Sequence, residues 1–460
     1  PDSQAAIAAG IGMVFQHFKL VENFTVLENI ILGAEDGRLL KPSLAKARKS
    51  LMKLADDYGL KVDPDALVQD IGVGMQQRVE ILKALYRQAD ILILDEPTGV
   101  LTPAEADQLF RILGRLRSEG KTIILITHKL REIMETTDTV SVMRRGEMTA
   151  TVKTAETSPA ELAELMVGRK VLLRVDKKPA APGPVILDVE GLRVVDDKGV
   201  ERLRGIDLQV RAGEILGVAG VAGNGQSELL EVLGGYQTGK GSVRVNGTAL
   251  DLTGNKSDGQ SRRNHGIAHV PEDRQREGLI MDYQAWENTA FGYHKDPAYR
   301  SGMLMDNAAI KADTVEKMER FDVRPPNPKL AAKNFSGGNQ QKIVLAREIE
   351  RNPDLLLIGQ PTRGVDIGAI EFIHEQIVAL RDQGKAILLV SVELEEILAL
   401  SDRVAVMFDG QVMGIRDASQ TDEKELGLLM AGITDTDAPH SIEEIEDNLA
   451  HAGGDPHKEV

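Results

Sequence analysis

Ile91-Leu-Ile-Leu-Asp-Glu-Pro-Thr98 and Leu355-Leu-Leu-Ile-Gly-Gln-Pro-Thr362 are two copies of one segment, set 264 residues apart. Each is a short Ile/Leu run closed by Pro-Thr, which predicts a buried strand whose last residues emerge at the end of a sheet. The first copy ends its strand on Asp95-Glu96 and the second on Gly359-Gln360. Carboxylates at such a strand end can hold Mg²⁺ and orient a water, whereas glycine and an amide cannot. The two halves are therefore predicted to share a build and to differ in chemistry.

The repeat extends in both directions. Gln16, Val73-Gly-Met-Gln-Gln77, Asp95-Glu96 and His128 occur in order, and Glu272, Gly337-Gly-Asn-Gln-Gln341, Gly359-Gln360 and Val392 take the matching places. Apolar runs such as Thr122–Ile126 and Ala386–Val390 alternate with the helical patterns Pro103–Glu119 and Ala369–Gln383, which predicts a parallel sheet covered by helices. Val185–Leu250 adds shorter alternating strands around a glycine loop. The boundaries expected are a first domain at 1–172, a linker at 173–184, a second domain at 185–433 and an acidic, disordered tail at 434–460.

Composition narrows the function classes. The 460 residues carry a net charge of −16 and only 3% aromatics, which argues against phosphate-backbone affinity and base-stacking surfaces. No cysteine is present, which removes disulfides, thiolate metal sites and Fe–S clusters. No apolar run reaches the length of a membrane span, so direct membrane insertion is not expected. Arg262-Arg263 and Arg144-Arg145 read as solvated loop charges, and histidines other than His128 as surface or core fillers.

Gly213-Glu-Ile-Leu-Gly-Val-Ala-Gly220-Val-Ala-Gly223-Asn224-Gly225-Gln226-Ser227 reads as strand, tight loop, then helix. Glycines let backbone amides wrap a phosphate, and the helix N-terminus favours its charge. The pattern G-x-x-x-x-G-K-[ST] is met except at lysine, where Gln226 stands. Ser227 keeps the hydroxyl that can ligate Mg²⁺. In Asn334-Phe-Ser336-Gly337-Gly338-Asn339-Gln340, Ser336 can cap the following helix while the glycines open its backbone amides to an anion.

Together these motifs resemble an ABC-type ATPase. Two such halves, the second marked by Pro271-Glu-Asp-Arg274 and Gln360-Pro-Thr-Arg-Gly-Val-Asp366, resemble the tandem ATP-binding subunits of bacterial simple-sugar and nucleoside importers. Gly223-Asn-Gly-Gln-Ser-Glu228 leans toward the nucleoside branch. The fold implied is α/β: two P-loop ABC domains in tandem, each with a mainly parallel core sheet, a helical subdomain and a small antiparallel subdomain, the first incomplete.

The resemblance implies that the halves clasp head to tail around ATP and Mg²⁺. Asp95 takes the place of the Mg²⁺-organising acid, Glu96 of the general base, His128 of the switch histidine, and Gln16 of the residue that senses nucleotide and couples to the transmembrane partner, with Asp95, Gln16 and Ser227 the implied Mg²⁺ residues. Their partners in one composite site are Ser336, Gly337, Gly338 and Gln340; the other site, built on Gly220, Gly223, Asn224, Gly225, Gln226 and Ser227, is degenerate. The implied partners are transmembrane permease subunits and, through them, a solute-binding protein, with the chain peripheral on the cytoplasmic face of the membrane and no nucleic acid bound. Glu22–Gly33 and Leu279–Gly292 fall where the family contacts its permease, with Trp286 either an anchor or a core residue. The rival expectations are a soluble tandem ATPase acting on ribosomes or nucleic acid, and a non-hydrolysing regulatory module.

Gly220 precedes Glu272 by 52 residues, and the same step back from Gln16 passes residue 1. The first half is accordingly expected to lack its opening strands and Walker A loop, about 70 residues, in a fragmentary or late-starting sequence. Very weak hydrolysis is expected of the chain as it stands.

Overall fold

Strands rich in Ile, Val and Leu are most stable where both faces are covered, and that rule organises the chain. The computed structural model describes residues 2–15, 18–34, 40–98, 101, 103–144, 146–168, 177–196, 198–221, 223–253, 258–365 and 367–433. The chain divides into two compact units between residues 170 and 171. Gln16, Arg145, Asp366 and the tail from 434 lie outside the described residues.

In the first unit β1 (Ile11–Val14), β2 (Ile91–Asp95) and β3 (Thr122–Ile126) form a parallel sheet, and β4 (Thr139–Arg144) pairs with β5 (Glu147–Lys153) as a hairpin. The second unit opens with β6 (Val185–Val195), β7 (Glu201–Arg211), β8 (Glu214–Ala219), β9 (Lys240–Val245) and β10 (Thr248–Ala249). It continues through β11 (Ile267–Val270), the ribbon β12 (Arg300–Ser301) and β13 (Leu304–Met305), then β14 (Leu355–Gly359), β15 (Ala386–Val390), β16 (Arg403–Phe408) and β17 (Gln411–Asp417). Its six-stranded sheet runs β11-β14-β15-β8-β16-β17, and an antiparallel sheet runs β10-β9-β6-β7.

Pleating sends alternate residues of β14 to opposite faces. Leu356 and Ile358 join the core beneath the helices Gly337–Ile349 and Ile367–Asp382, while Leu355 and Leu357 join the core beneath β6, β7 and β9. Both faces being covered, β14 and β15 are buried along their whole length.

The repeat is visible in hydrogen-bond register. Ile11 pairs with Ile91 as Ile267 pairs with Leu355, and Ile91 pairs with Thr122 as Leu355 pairs with Ala386. Even the register slip at Val142/Met143 recurs at Val406/Met407. The units differ at the next strand. β15 pairs onward with β8, whereas β3 has one partner among the described residues and leaves Ile124 and Ile126 nearly half exposed.

The described part of the expected linker is packed on the second unit: the Lys177 ammonium donates to the Ser401 carbonyl and Lys178 O accepts from Arg381 Nη2 at 2.9 Å. One sequence expectation changes, at Arg262: it is not a solvated charge but is 2% exposed, donating to the carbonyls of Leu233 at 3.1 Å and Asp251 at 3.0 Å. Arg263 lies over the Tyr293 ring. Carbonyls at a helix end supply what water otherwise would, which is why a buried guanidinium is tolerated here.

Candidate nucleotide site

The first unit gathers its chemistry at the ends of β2 and β3. Asp95 is the last residue of β2, and Glu96 follows in a left-handed conformation at φ +43°, held by its N–H to Ile126 O at 2.8 Å. That turn swings the Glu96 carboxylate across to β3, where Oε1 lies 3.1 Å from His128 Nδ1. The hydrogen bond to His128 holds the Glu96 carboxyl below the usual carboxylate range, against the opposing effect of partial burial. An ionised carboxylate oriented by an imidazole and open to solvent can accept a proton from water.

The second unit repeats the backbone without the chemistry. Gln360 adopts φ +46° and donates its N–H to Val390 O at 2.8 Å, as Glu96 does to Ile126. Its side-chain oxygen accepts from Val392 N at 3.3 Å, so the amide is tied to its own backbone where the other unit holds an acid.

β8 delivers the glycine loop. Gly225 sits at φ +101° and starts the helix Gln226–Gly234; a β-carbon there would lie 2.7 Å from Leu203 Cδ2 and 2.9 Å from Arg202 O. Gly223, at φ +92°, needs its backbone freedom rather than space. Gln226 is buried, with Nε2 donating to Val221 O at 3.1 Å inside the loop. Asn224 Oδ1 accepts from Asp409 N at 3.0 Å, which anchors the loop to the turn after β16. Ser227 Oγ donates to Glu272 Oε2 at 2.6 Å.

The signature segment separates into an exposed and a buried part. Ser336 caps the helix Gly337–Ile349, accepting from Asn339 N at 3.5 Å and from the Asn339 side-chain Nδ2 at 2.8 Å, and is exposed. Gln340 is 3% exposed and donates to Ala332 O and Phe335 O at 3.1 Å, so it braces the loop from within. Gln76 does the same in the first unit, donating to Ile71 O at 3.1 Å. Sequence reasoning missed Arg274, whose guanidinium lies over Gly337 and donates to the carbonyls of Arg363 at 2.6 Å and Gly364 at 3.2 Å. It ties three of the motifs together; its place in Pro271-Glu-Asp-Arg274 was the available signal. Trp286 is half-buried: it packs against the small core of Ala290, Tyr299 and Ile310 and donates its indole N–H to Gln284.

A strand, a glycine loop wrapped by positive-φ residues, a helix start, a serine-capped signature helix and a repeated acid strand end converge on one comparison. The ABC transporter family profile matches residues 2–99 and 203–363. The chain belongs to the ABC transporter family. The nucleoside import ATP-binding protein NupA of Lactococcus lactis is 49% identical over 92% of this chain and 83% of its own length. The guanosine import ATP-binding protein NupO of Bacillus subtilis is 49% identical over 93% and 84%. The ribose import ATP-binding protein RbsA 1 of Rubrobacter xylanophilus is 38% identical over 92% and 83%. Among solved structures, a nucleotide-free ATP-binding cassette from an ABC transporter aligns at 20% identity and a TM-score of 0.45, over 57% of this chain and 98% of that one.

The ABC fold of the second unit also buries a titratable group near the far end of the helix that follows the glycine loop. His269 of β11 stacks obliquely on Tyr236 with ring centroids 5.2 Å apart, and both ring nitrogens are buried without a hydrogen-bond partner. Burial pushes its pKa down to about 4. The unfolded chain takes up this proton near pH 6.5 and the folded chain does not, so stability falls as pH drops from there toward 4. By pH 5 the wild type is expected to have lost about 2 kcal/mol relative to His269→Phe, read from urea melts at pH 7 and 5. Parallel pH profiles for the two proteins would rule this out.

Proposed function

We propose that this chain is the ATP-hydrolysing subunit of an importer for nucleosides, with simple sugars the alternative cargo, acting at the membrane through permease subunits and a solute-binding protein. One observation carries the catalytic reading: Glu96 and His128 stand 3.1 Å apart at two strand ends, while the same backbone in the other unit presents Gln360 and Val392. The two relatives at 49% identity are named for nucleoside and guanosine import, which supports the cargo. Among the described residues no helix is long and apolar enough to cross a membrane, in keeping with a subunit that works through a partner.

In this reading Glu96 takes the proton of an attacking water and His128 orients it. The exposed Ser336 hydroxyl and the amides of Gly337 and Gly338 face phosphate oxygens, with Gln340 and Arg274 holding that loop in shape. Gly220, Gly223 and Gly225 shape the phosphate loop, and Asn224 anchors it. Hard oxygen donors suit Mg²⁺, and Asp95 with Gln16 in one unit and Ser227 in the other are the residues that would hold it. Bound Mg²⁺ neutralises developing phosphate charge.

The cargo is tested by transport assays in vesicles holding this subunit with its permease and binding protein. ATP turnover is expected to rise with nucleosides and to ignore ribose; the reverse pattern would move the assignment to sugars. Gln226→Lys is expected to tighten ATP binding to the second unit roughly tenfold, because a charged donor outweighs a neutral one by roughly 1–1.5 kcal/mol. A fluorescent-nucleotide titration reads this directly, and weaker binding by the variant would contradict it.

A further inference from the structure

We propose that Glu272 is the metal-ligating acid of the second unit's nucleotide site, its carboxylate standing in for the one missing at position 359. The inference rests on the reading of Gly220–Ser227 as a phosphate loop. It begins from register. Asp95 closes β2 beside β1, and Gln16 lies two residues beyond the end of β1. Gly359 closes β14 beside β11, and Glu272 lies two residues beyond the end of β11. Between the two units, therefore, the acid has changed from one strand end to its neighbour: Asp with Gln in the first, Gly with Glu in the second.

Geometry shows why the two changes belong together. A β-carbon on residue 359 would lie 2.5 Å from Glu272 Cγ and 2.8 Å from Leu230 Cδ1. Gly359 is not among the residues with positive φ, so its backbone does not call for glycine. The space does: any side chain at 359 excludes the observed position of Glu272. In that position Glu272 Oε2 accepts from Ser227 Oγ at 2.6 Å. The hydroxyl at the start of the loop helix and the carboxylate from the neighbouring strand end thus converge on one point. Two hard oxygens from the protein are what Mg²⁺ needs when phosphates and waters complete its shell. With Gln360 bound to its own backbone, the site would hold metal and nucleotide without a base to activate water.

The test is photolabelling of the full chain with 8-azido-ATP, with or without Mg²⁺, counting label on peptides from residues 177–433. Mg²⁺ is expected to strengthen labelling of the wild type, and Glu272→Gln to lose about 10-fold or more of that gain while keeping metal-free labelling. Gly359→Ala and Gly359→Asp are expected to lose it too, by displacing Glu272. The pair Glu272→Gln with Gly359→Asp, which recreates the first unit's arrangement, is expected to regain it. Undiminished Mg²⁺ dependence in Glu272→Gln, or a double variant no better than the single ones, would overturn the proposal. Wild-type labelling that ignores Mg²⁺ would sink the metal site alone. No labelling of the second unit under any condition would sink the phosphate-loop reading with it.

Discussion

Replacing Glu96 by glutamine is expected to lower ATP turnover of the intact protein by about 10²–10⁴-fold while leaving nucleotide affinity unchanged. Glutamine keeps the shape and the hydrogen-bonding oxygen of the side chain and removes only the capacity to take a proton. The backbone that aims it, φ +43° with its N–H on Ile126 O, is the same backbone that aims Gln360 at φ +46°. The second unit is in effect the same exchange already made. Because the His128 hydrogen bond keeps Glu96 ionised below the usual carboxylate range, turnover between pH 8 and 5 should show no loss from protonation of this base. Phosphate release and nucleotide binding are measured separately. Turnover that survives Glu96→Gln but vanishes when Gln360 is altered would reverse the assignment of the two units.

The fold was legible to the extent that it is local and periodic. The 264-residue repeat is in the sequence itself, and the strands Thr122–Ile126 and Ala386–Val390 fall where Ile/Leu runs place them. Glu96 and His128 were legible because both stand at strand ends of parallel neighbours, where chain order predicts proximity. What escaped is tertiary. Glu272 and Gly359 are distant in sequence, and only strand register brings the Glu272 side chain into the space a β-carbon at 359 would fill. Arg262 carries a charge that composition assigns to solvent, and its burial depends on carbonyls of Leu233 and Asp251 that no pattern announces. Gln340 sits in a signature that reads as ligand-facing, yet its amide serves the loop beneath.

Arg381→Ala is expected to cost the second unit about 3 kcal/mol, and the reason lies in how β8 is held. Arg381 is 1% exposed, with Nη1 at 2.9 Å from Asp402 Oδ1. Asp402 Oδ2 in turn accepts the Ile215 N–H at 2.9 Å, and Asp402 N donates to Ile215 O at 2.8 Å. The pair therefore fixes the first residues of the strand that presents the glycine loop. Losing one member of a buried ion pair costs about 3–5 kcal/mol, because the other charge stays buried without its partner. The low end is expected because Lys177 remains 3.7 Å from Asp402. The second unit's melting temperature should drop by roughly 6–12 °C. Arg381→Met with Asp402→Asn, which removes both charges and keeps an acceptor for Ile215, should recover more than half of the loss. ATP at 100 times its dissociation constant should return about 2.7 kcal/mol of stability to either variant if the loop still binds it. An Arg381→Ala protein that melts with the wild type would show that β8 is held by its strand neighbours alone.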